Sequence, residues 1–144
     1  QQQVGVLFLD LDHFKQVNDI HGHDVGDELL SAAARRLTRC VRQGDTVARQ
    51  GGDEFIVVLA EVGAPAGAIR AAETIIASLA APYELGQTRI RVDVITASVG
   101  IALFPAHGSD SQTLMKHADL AMYAAKQAGR NGYRIYDEGL APGG

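Results

Sequence analysis

Apolar residues in this chain follow two rhythms. The runs at 4–9, 55–59 and 97–103 are short and continuously apolar, the pattern of strands covered on both faces. Between them, apolar residues recur every three to four positions, which predicts helices with one buried stripe. The stripes are Leu29, Ala33, Leu37 and Cys40 or Val41, then Ile69, Ala72, Ile76 and Leu79, and last Leu114, Ala118, Ala121, Met122 and Ala125. Punctuation sets the boundaries. A short helix is expected at 14–19, a polar turn at 21–27, and from Asp27 the first long helix, with Arg35, Arg36 and Arg39 on its outer side. Gly44 stops that helix and Asp45 opens the next loop. Pro65 starts the second long helix and Pro82 ends it, while Ser109-Asp110-Ser111 offers N-caps for the third, which Gly129 stops. Gly51-Gly52, between β-prone residues 46–48 and 55–59, predicts a tight hairpin. A short strand at 83–85 should turn through Gly86-Gln87 into a half-exposed strand from Arg89 that continues as the buried run at 97–103. Residues 133–136 suit an edge strand.

The resulting order is β, α, ββ, α, β(β), α, β. Its first six elements match a split βαβ unit of ferredoxin-like type, an α/β (α+β) fold with helices on a mostly antiparallel sheet. At 144 residues the chain is most simply one domain, able to bury roughly 68–70% of its unfolded surface. A net charge of -4 with scattered Lys and Arg disfavours a protein that tracks polymeric nucleic acid. Cys40 is the single cysteine, so no internal disulfide can form; it reads as a small buried hydrophobe and fits a reducing cytoplasm. No apolar run reaches eighteen residues and no leader is evident. Gln1–Gln3 and Gly139–Gly144 look like ragged edges cut from a longer chain.

Candidate chemistry gathers where apolar strands end in carboxylates. The first strand runs into Asp10-Leu11-Asp12, and the hairpin delivers Asp53 and Glu54. Asp12 is either an N-cap for the helix from His13 or a ligand. Asp10, at the edge of an apolar strand, is costly unless paired or bound to a cation. In a ferredoxin-like sheet the first strand neighbours the hairpin, so Asp10 should face Asp53 and Glu54. One or two such carboxylates plus substrate phosphates are how Mg²⁺ is held, and paired metals about 3.5–4 Å apart serve nucleotidyl transfer. Lys126 and Arg130, four apart on one helix side, are either favourable charges at a helix C-terminus or a phosphate grip. His21 and His23 have no partner cluster at zinc-finger spacing and read as turn residues.

The run from Gly51 to Phe55 resembles the signature of the GGDEF family of diguanylate cyclases. Residues 10–19, 22–27, 97–102, 118–126 and 129–131 are similar to further signatures of that family, in the same order. The resemblance implies synthesis of cyclic di-GMP from two GTP with release of two pyrophosphates, on a fold similar to the polymerase and adenylyl cyclase palm. It implies that Asp10, the Leu11 carbonyl, Asp53 and Glu54 bind Mg²⁺ or Mn²⁺, with Asp53 promoting loss of the 3′-hydroxyl proton. Asn18 and Asp27 match guanine-reading positions, Phe14, Lys15 and His23 the nucleotide loops, and Lys126 and Arg130 phosphate contacts; Gly51 and Gly52 would let the backbone approach the nucleotide. Arg42 and Asp45 match an Arg-x-x-Asp product-inhibition site, to which Arg70 could add a contact, although a simple helix stop explains this segment too. Two domains, each with one GTP, must face each other, so a homodimer is the expected active form. The helix and turn that usually precede the first strand in the family are not seen before Val4. A cytoplasmic location, with any membrane attachment through other domains, completes the expectation. The competing reading is a non-catalytic module that binds GTP or cyclic di-GMP and regulates a fused domain.

Overall fold

The computed structural model of the chain describes residues 3–140. The ragged edges expected at the two termini fall largely outside them. The elements are β1 (Val4–Asp12), α1 (Phe14–His21), α2 (His23–Cys40), β2 (Thr46–Gly51), β3 (Glu54–Leu59), α3 (Pro65–Ala80), β4 (Tyr83–Leu85), β5 (Ile90–Val92), β6 (Thr96–Phe104), α4 (Ser111–Gln127) and β7 (Gly132–Ile135). The central sheet has the order β2-β3-β1-β6-β7. Its first four strands are antiparallel and give the ferredoxin-like arrangement expected from the sequence; β7 adds to the edge parallel to β6.

Strand parity decides what each face carries. On β1, Leu7, Leu9 and Leu11 join Phe55 and Val57 of β3 and the stripes of α2 and α3 in the larger core. Val6 and Phe8 face the other way, with Ile56, Ala102, Leu114, Ala118 and Met122 under α4. Asp10 and Asp12 continue that second parity, so both project toward the α4 side. A Cβ on Gly100 would stand 2.0 Å from the Ala118 carbonyl oxygen and 2.1 Å from the Met122 nitrogen. Only glycine lets α4 lie this close to β6, and the crossing carries the end of α4 to the carboxylates.

Four sequence expectations change. The helix expected from Asp27 begins at His23, because Gly22, whose N–H bonds the Asn18 carbonyl at 2.8 Å, alone breaks α1 from α2; the polar residues that suggested a turn fill the first helical turn. The α3 stripe is Ala68, Ala72, Ile75 and Leu79, with Ile69 and Ile76 only half-buried. The small alanines form the contact ridge and move the isoleucines to its flank. The strand from Arg89 is not continuous with β6: β5 pairs with β4 in a separate hairpin, and the chain leaves through an exposed Val94 before β6. Arg36 is not on a solvated face. Its guanidinium lies 3.6 Å from the Tyr83 ring centre and donates to the carbonyls of Ser78 (2.8 Å), Ala81 (2.6 Å) and Pro82 (2.6 Å), capping the end of α3.

Candidate active site

The β2–β3 turn sits one residue later than expected. Gly51 and Glu54 still pair, so Gly52 and Asp53 form the corner, with Gly52 at φ +52°. Arg49, for which the sequence suggested no role, donates from Nε to the Gly52 carbonyl at 2.8 Å and locks the corner. The backbone N–H of Leu11 donates to the Asp53 carbonyl at 3.1 Å, which ties the turn to β1.

Register then sets the carboxylates. Asp10 pairs with Glu54 of β3 on one side and Ser98 of β6 on the other. Asp10 is buried, and burial, reinforced by Asp53 and only partly offset by Lys126, pushes it up to about 6. Glu54 is also raised, mainly by desolvation and then by Asp10 and Asp119. One oxygen of Asp10, Oδ2, accepts from Lys126 Nζ; the other, Oδ1, is buried without a hydrogen-bond partner. Among the described residues no three His, Cys, Asp or Glu side chains close on one point as they would around an ion. Of the three carboxylates expected to face one another, Asp10 and Glu54 are paired across β1 and β3, Asp53 stands at the adjoining corner close enough to raise Asp10, and the Lys126 ammonium also lies against Asp10.

A cavity of about 460 Å³ opens beside this group, lined by Asp10, Leu11, Phe14, Lys15, Asp53, Lys126 and Arg130 among others. Seven of the residues singled out from the sequence thus share one space. Asn18 stands on α1 with its Nδ2 3.3 Å from His23 Nδ1. Gly26 makes room for it, since a Cβ there would lie 2.1 Å from Asn18 Oδ1. Asp27 is placed apart from the cavity, in a groove of about 810 Å³ between α2 and the β4–β5 hairpin. The next residue, Glu28, clasps that hairpin by accepting from Gln87 N (2.8 Å), Thr88 N (3.0 Å) and Thr88 Oγ1 (2.8 Å).

Asp12 is not the cap of α1. The cap position is His13, in a left-handed conformation with no side-chain cap bond, and Asp12 instead receives Thr96, Ser98 and Asn131. Asp119 was also missed, although its spacing of seven from Lys126 on α4 puts the two on one helix face. Its own carboxyl is raised, chiefly by desolvation.

The Arg-x-x-Asp segment forms a second, separate cavity of about 340 Å³, into which Arg42, Asp45 and Arg70 all enter. Asp45 is structurally engaged as well. It accepts from Arg42 N and Ala60 N, both at 2.9 Å, and so fixes the loop between α2 and β2.

A family model described as the diguanylate cyclase GGDEF domain matches residues 1–132. The chain belongs to the GGDEF family. This GGDEF domain is 46% identical over 139 residues to the bifunctional diguanylate cyclase/cyclic di-GMP phosphodiesterase MucR of Pseudomonas aeruginosa, covering 96% of the chain and 20% of MucR. It is 42% identical over 135 residues to the cyclic di-GMP phosphodiesterase PdeR of Escherichia coli, covering 93% of the chain and 20% of PdeR. The chain therefore spans about a fifth of the length of these relatives. The crystal structure of the GGDEF domain of YfiN (TpbB) from Pseudomonas aeruginosa superposes with a TM-score of 0.90 at 43% identity, over 94% of the chain and 83% of that domain. Membership places the GGDEF domain in the diguanylate cyclase superfamily and in cyclic di-GMP signalling. No helix among the described residues is long and apolar enough to cross a membrane.

Proposed function

We propose that this domain is an active diguanylate cyclase that joins two GTP into cyclic di-GMP and releases two pyrophosphates. The observation that carries the reading is the buried, unpartnered Oδ1 of Asp10 beside Asp53 and Glu54, on a cavity that also holds Lys126 and Arg130. Hard oxygen donors, one of them lacking a partner, fit a small cation such as Mg²⁺ or Mn²⁺, held by Asp10, the Leu11 carbonyl, Asp53 and Glu54. When bound, such a cation polarises the phosphate and lowers the pKa of the attacking hydroxyl.

The chain's own groups supply the rest. Asp53 accepts the proton leaving the 3′-hydroxyl as that oxygen attacks the α-phosphate of the facing GTP, and the α–β phosphate bond breaks to free pyrophosphate. Lys126, Arg130 and Lys15 neutralise the triphosphate, Asn18 and Asp27 read the guanine edge, and Phe14, His23, Gly51 and Gly52 shape the nucleotide loops. Two copies face each other, because each contributes one GTP. Cyclic di-GMP returns to the cavity of Arg42, Asp45 and Arg70 and restrains turnover.

The deciding experiment fuses the domain to a short dimerising coiled coil and follows GTP by mass spectrometry with Mg²⁺ present or chelated. Mg²⁺-dependent cyclic di-GMP is expected. A second reading, a module that binds GTP or cyclic di-GMP without turnover, is favoured by the 42% identity to a protein named for its phosphodiesterase; tight binding by the fused dimer with no product would select it.

A further inference from the structure

Asp10 has a carboxylate neighbour two residues on, on the same face of β1, that the proposed reaction does not use. Asp12 is only 3% exposed, yet its two oxygens are fully engaged. Thr96 Oγ1 donates to Oδ2 at 2.7 Å and Ser98 Oγ to Oδ1 at 2.8 Å, which fixes the carboxylate to β6. From the other side the backbone N–H of Asn131 donates to Oδ2 at 3.1 Å, and Arg130 Nε stands 4.0 Å from Oδ1.

The turn it meets is strained. Arg130 and Asn131 have φ of +64° and +49°, and side-chain-bearing residues hold this left-handed conformation where their surroundings impose it. Here the surroundings are visible: Arg130 N donates to the Ala125 carbonyl of α4 at 3.1 Å, and Asn131 N to Asp12 of β1. We infer that Asp12 is a positioning residue for phosphate binding: by clasping the Arg130-Asn131 turn after α4 it holds the Arg130 guanidinium ready at the active-site cavity. The inference rests on the reading of Arg130 as a phosphate contact.

The physical reason is entropy and direction. A free arginine loses much rotamer freedom when it grips an anion. With the turn backbone clasped and Nε 4.0 Å from a fixed carboxylate, part of that loss is taken at folding, and the N–H donors of the guanidinium fork stay available to phosphate. Lys126 at the end of α4 pairs with Asp10, and Arg130 in the turn beyond it stands by Asp12, whose carboxylate is tied to the sheet by the hydroxyls of Thr96 and Ser98.

Amide hydrogen exchange by NMR, with GTP binding by calorimetry and turnover by the dimerised domain, tests this. In the wild type the Asn131 amide, in an exposed turn, should exchange slowly; rapid exchange overturns the clasp without any variant. Asp12→Asn should release that protection, weaken GTP about tenfold and raise KM by a similar factor while kcat changes less than twofold. Arg130→Ala should do the same to GTP, and the double variant should bind no more weakly than Arg130→Ala alone. Additive losses, or unchanged GTP affinity in Asp12→Asn, overturn the positioning role. Should Asp12→Asn not fold, Thr96→Val with Ser98→Ala removes the sheet-side anchors, and normal KM with normal Asn131 protection there overturns it equally. A wild type that binds neither GTP nor pyrophosphate overturns the phosphate role together with the reading it rests on, while slow Asn131 exchange would still establish the clasp.

Discussion

Asp10 and Asp12 share a strand, a face and near-complete burial, and their surroundings differ in kind. Asp12 has a donor for each oxygen from two hydroxyls and a backbone N–H, the arrangement of a group that holds structure together. Asp10 has one ammonium, one empty-handed oxygen and a second carboxylate close by, so its charged form is disfavoured. A fold gains nothing from such a residue. The difference teaches where to look for chemistry: the carboxylate that the protein leaves unsatisfied is the one kept for a ligand.

Replacing Asp10 should give the largest effect. Asp10→Asn, like Asp53→Asn, is expected to lower cyclic di-GMP synthesis by roughly a hundredfold or more, because a site that stabilises transition-state charge by several kcal/mol is broken. Stability should move the other way. The folded protein keeps a proton on Asp10 up to about pH 6, whereas the unfolded chain releases it near 3.9. Between those values the folded state binds more protons, so this group's contribution is full below the unfolded pKa and is lost as pH rises through about 6. Asparagine does not titrate. Melting without divalent cations should therefore favour Asp10→Asn over the wild type more at pH 7.5 than at pH 4.5, and a margin independent of pH would show that Asp10 is not the strained group described here. By the same linkage, Mn²⁺ should bind the wild type more weakly below about pH 6. For Asp12→Asn the melting temperature should fall, so the two neighbouring substitutions have opposite signs.

Gly26→Ala sharpens the contrast at a residue with no charge at all. The added Cβ meets the far end of the flexible Asn18 side chain, held by its 3.3 Å contact with His23, and comes within 3.3 Å of Phe14 Cζ, so the melting temperature should change little once Asn18 turns aside. Asn18 loses its place, and GTP should bind about tenfold more weakly as one guanine contact is lost. A full-strength GTP titration of Gly26→Ala would remove Asn18 from base recognition.

Much of this was readable from sequence, for reasons that separate the cases. Continuous apolar runs identify β1, β3 and β6 because those strands are covered on both faces, and the alternation rule then puts Asp10 and Asp12 on the α4 side. Lys126 was visible on its helix, but the helical spacing expected to set Arg130 beside it does not hold: α4 ends at Gln127, and Arg130 reaches the cavity from the left-handed turn beyond. What escaped depends on partners distant in sequence. Asp12 looks like a helix cap until Thr96, Ser98 and Asn131 are brought to it, 84, 86 and 119 residues away. Arg36 looks solvated until α3 ends against it. The α2 start was misjudged for a local reason, since a polar first turn and a polar loop have the same composition.

Arg42 and Asp45 repeat the contrast on a smaller scale, in the cavity separate from the one that Asp10 and Asp53 line. Asp45 resembles Asp12: both oxygens accept backbone N–H groups, from Arg42 and Ala60, so it holds the loop whatever else it binds. Arg42 and Arg70 are exposed at the cavity they share with Asp45. On the proposed reading, theirs are the side chains that would meet the anionic product. Arg42→Ala should therefore leave the unfolding free energy within the roughly ±0.5 kcal/mol typical of surface changes, while the cyclic di-GMP concentration for half-inhibition rises about tenfold for one charged hydrogen bond. Asp45→Ala should weaken inhibition too, with a clear loss of stability, because two backbone donors lose their acceptor. Melting curves and inhibition curves measured on the same pair of variants decide it: Arg42→Ala with an unaltered inhibition curve would reduce the segment to the helix stop that Gly44 already provides, and Asp45→Ala with an unaltered melting curve would deny the loop-holding role that its two hydrogen bonds imply.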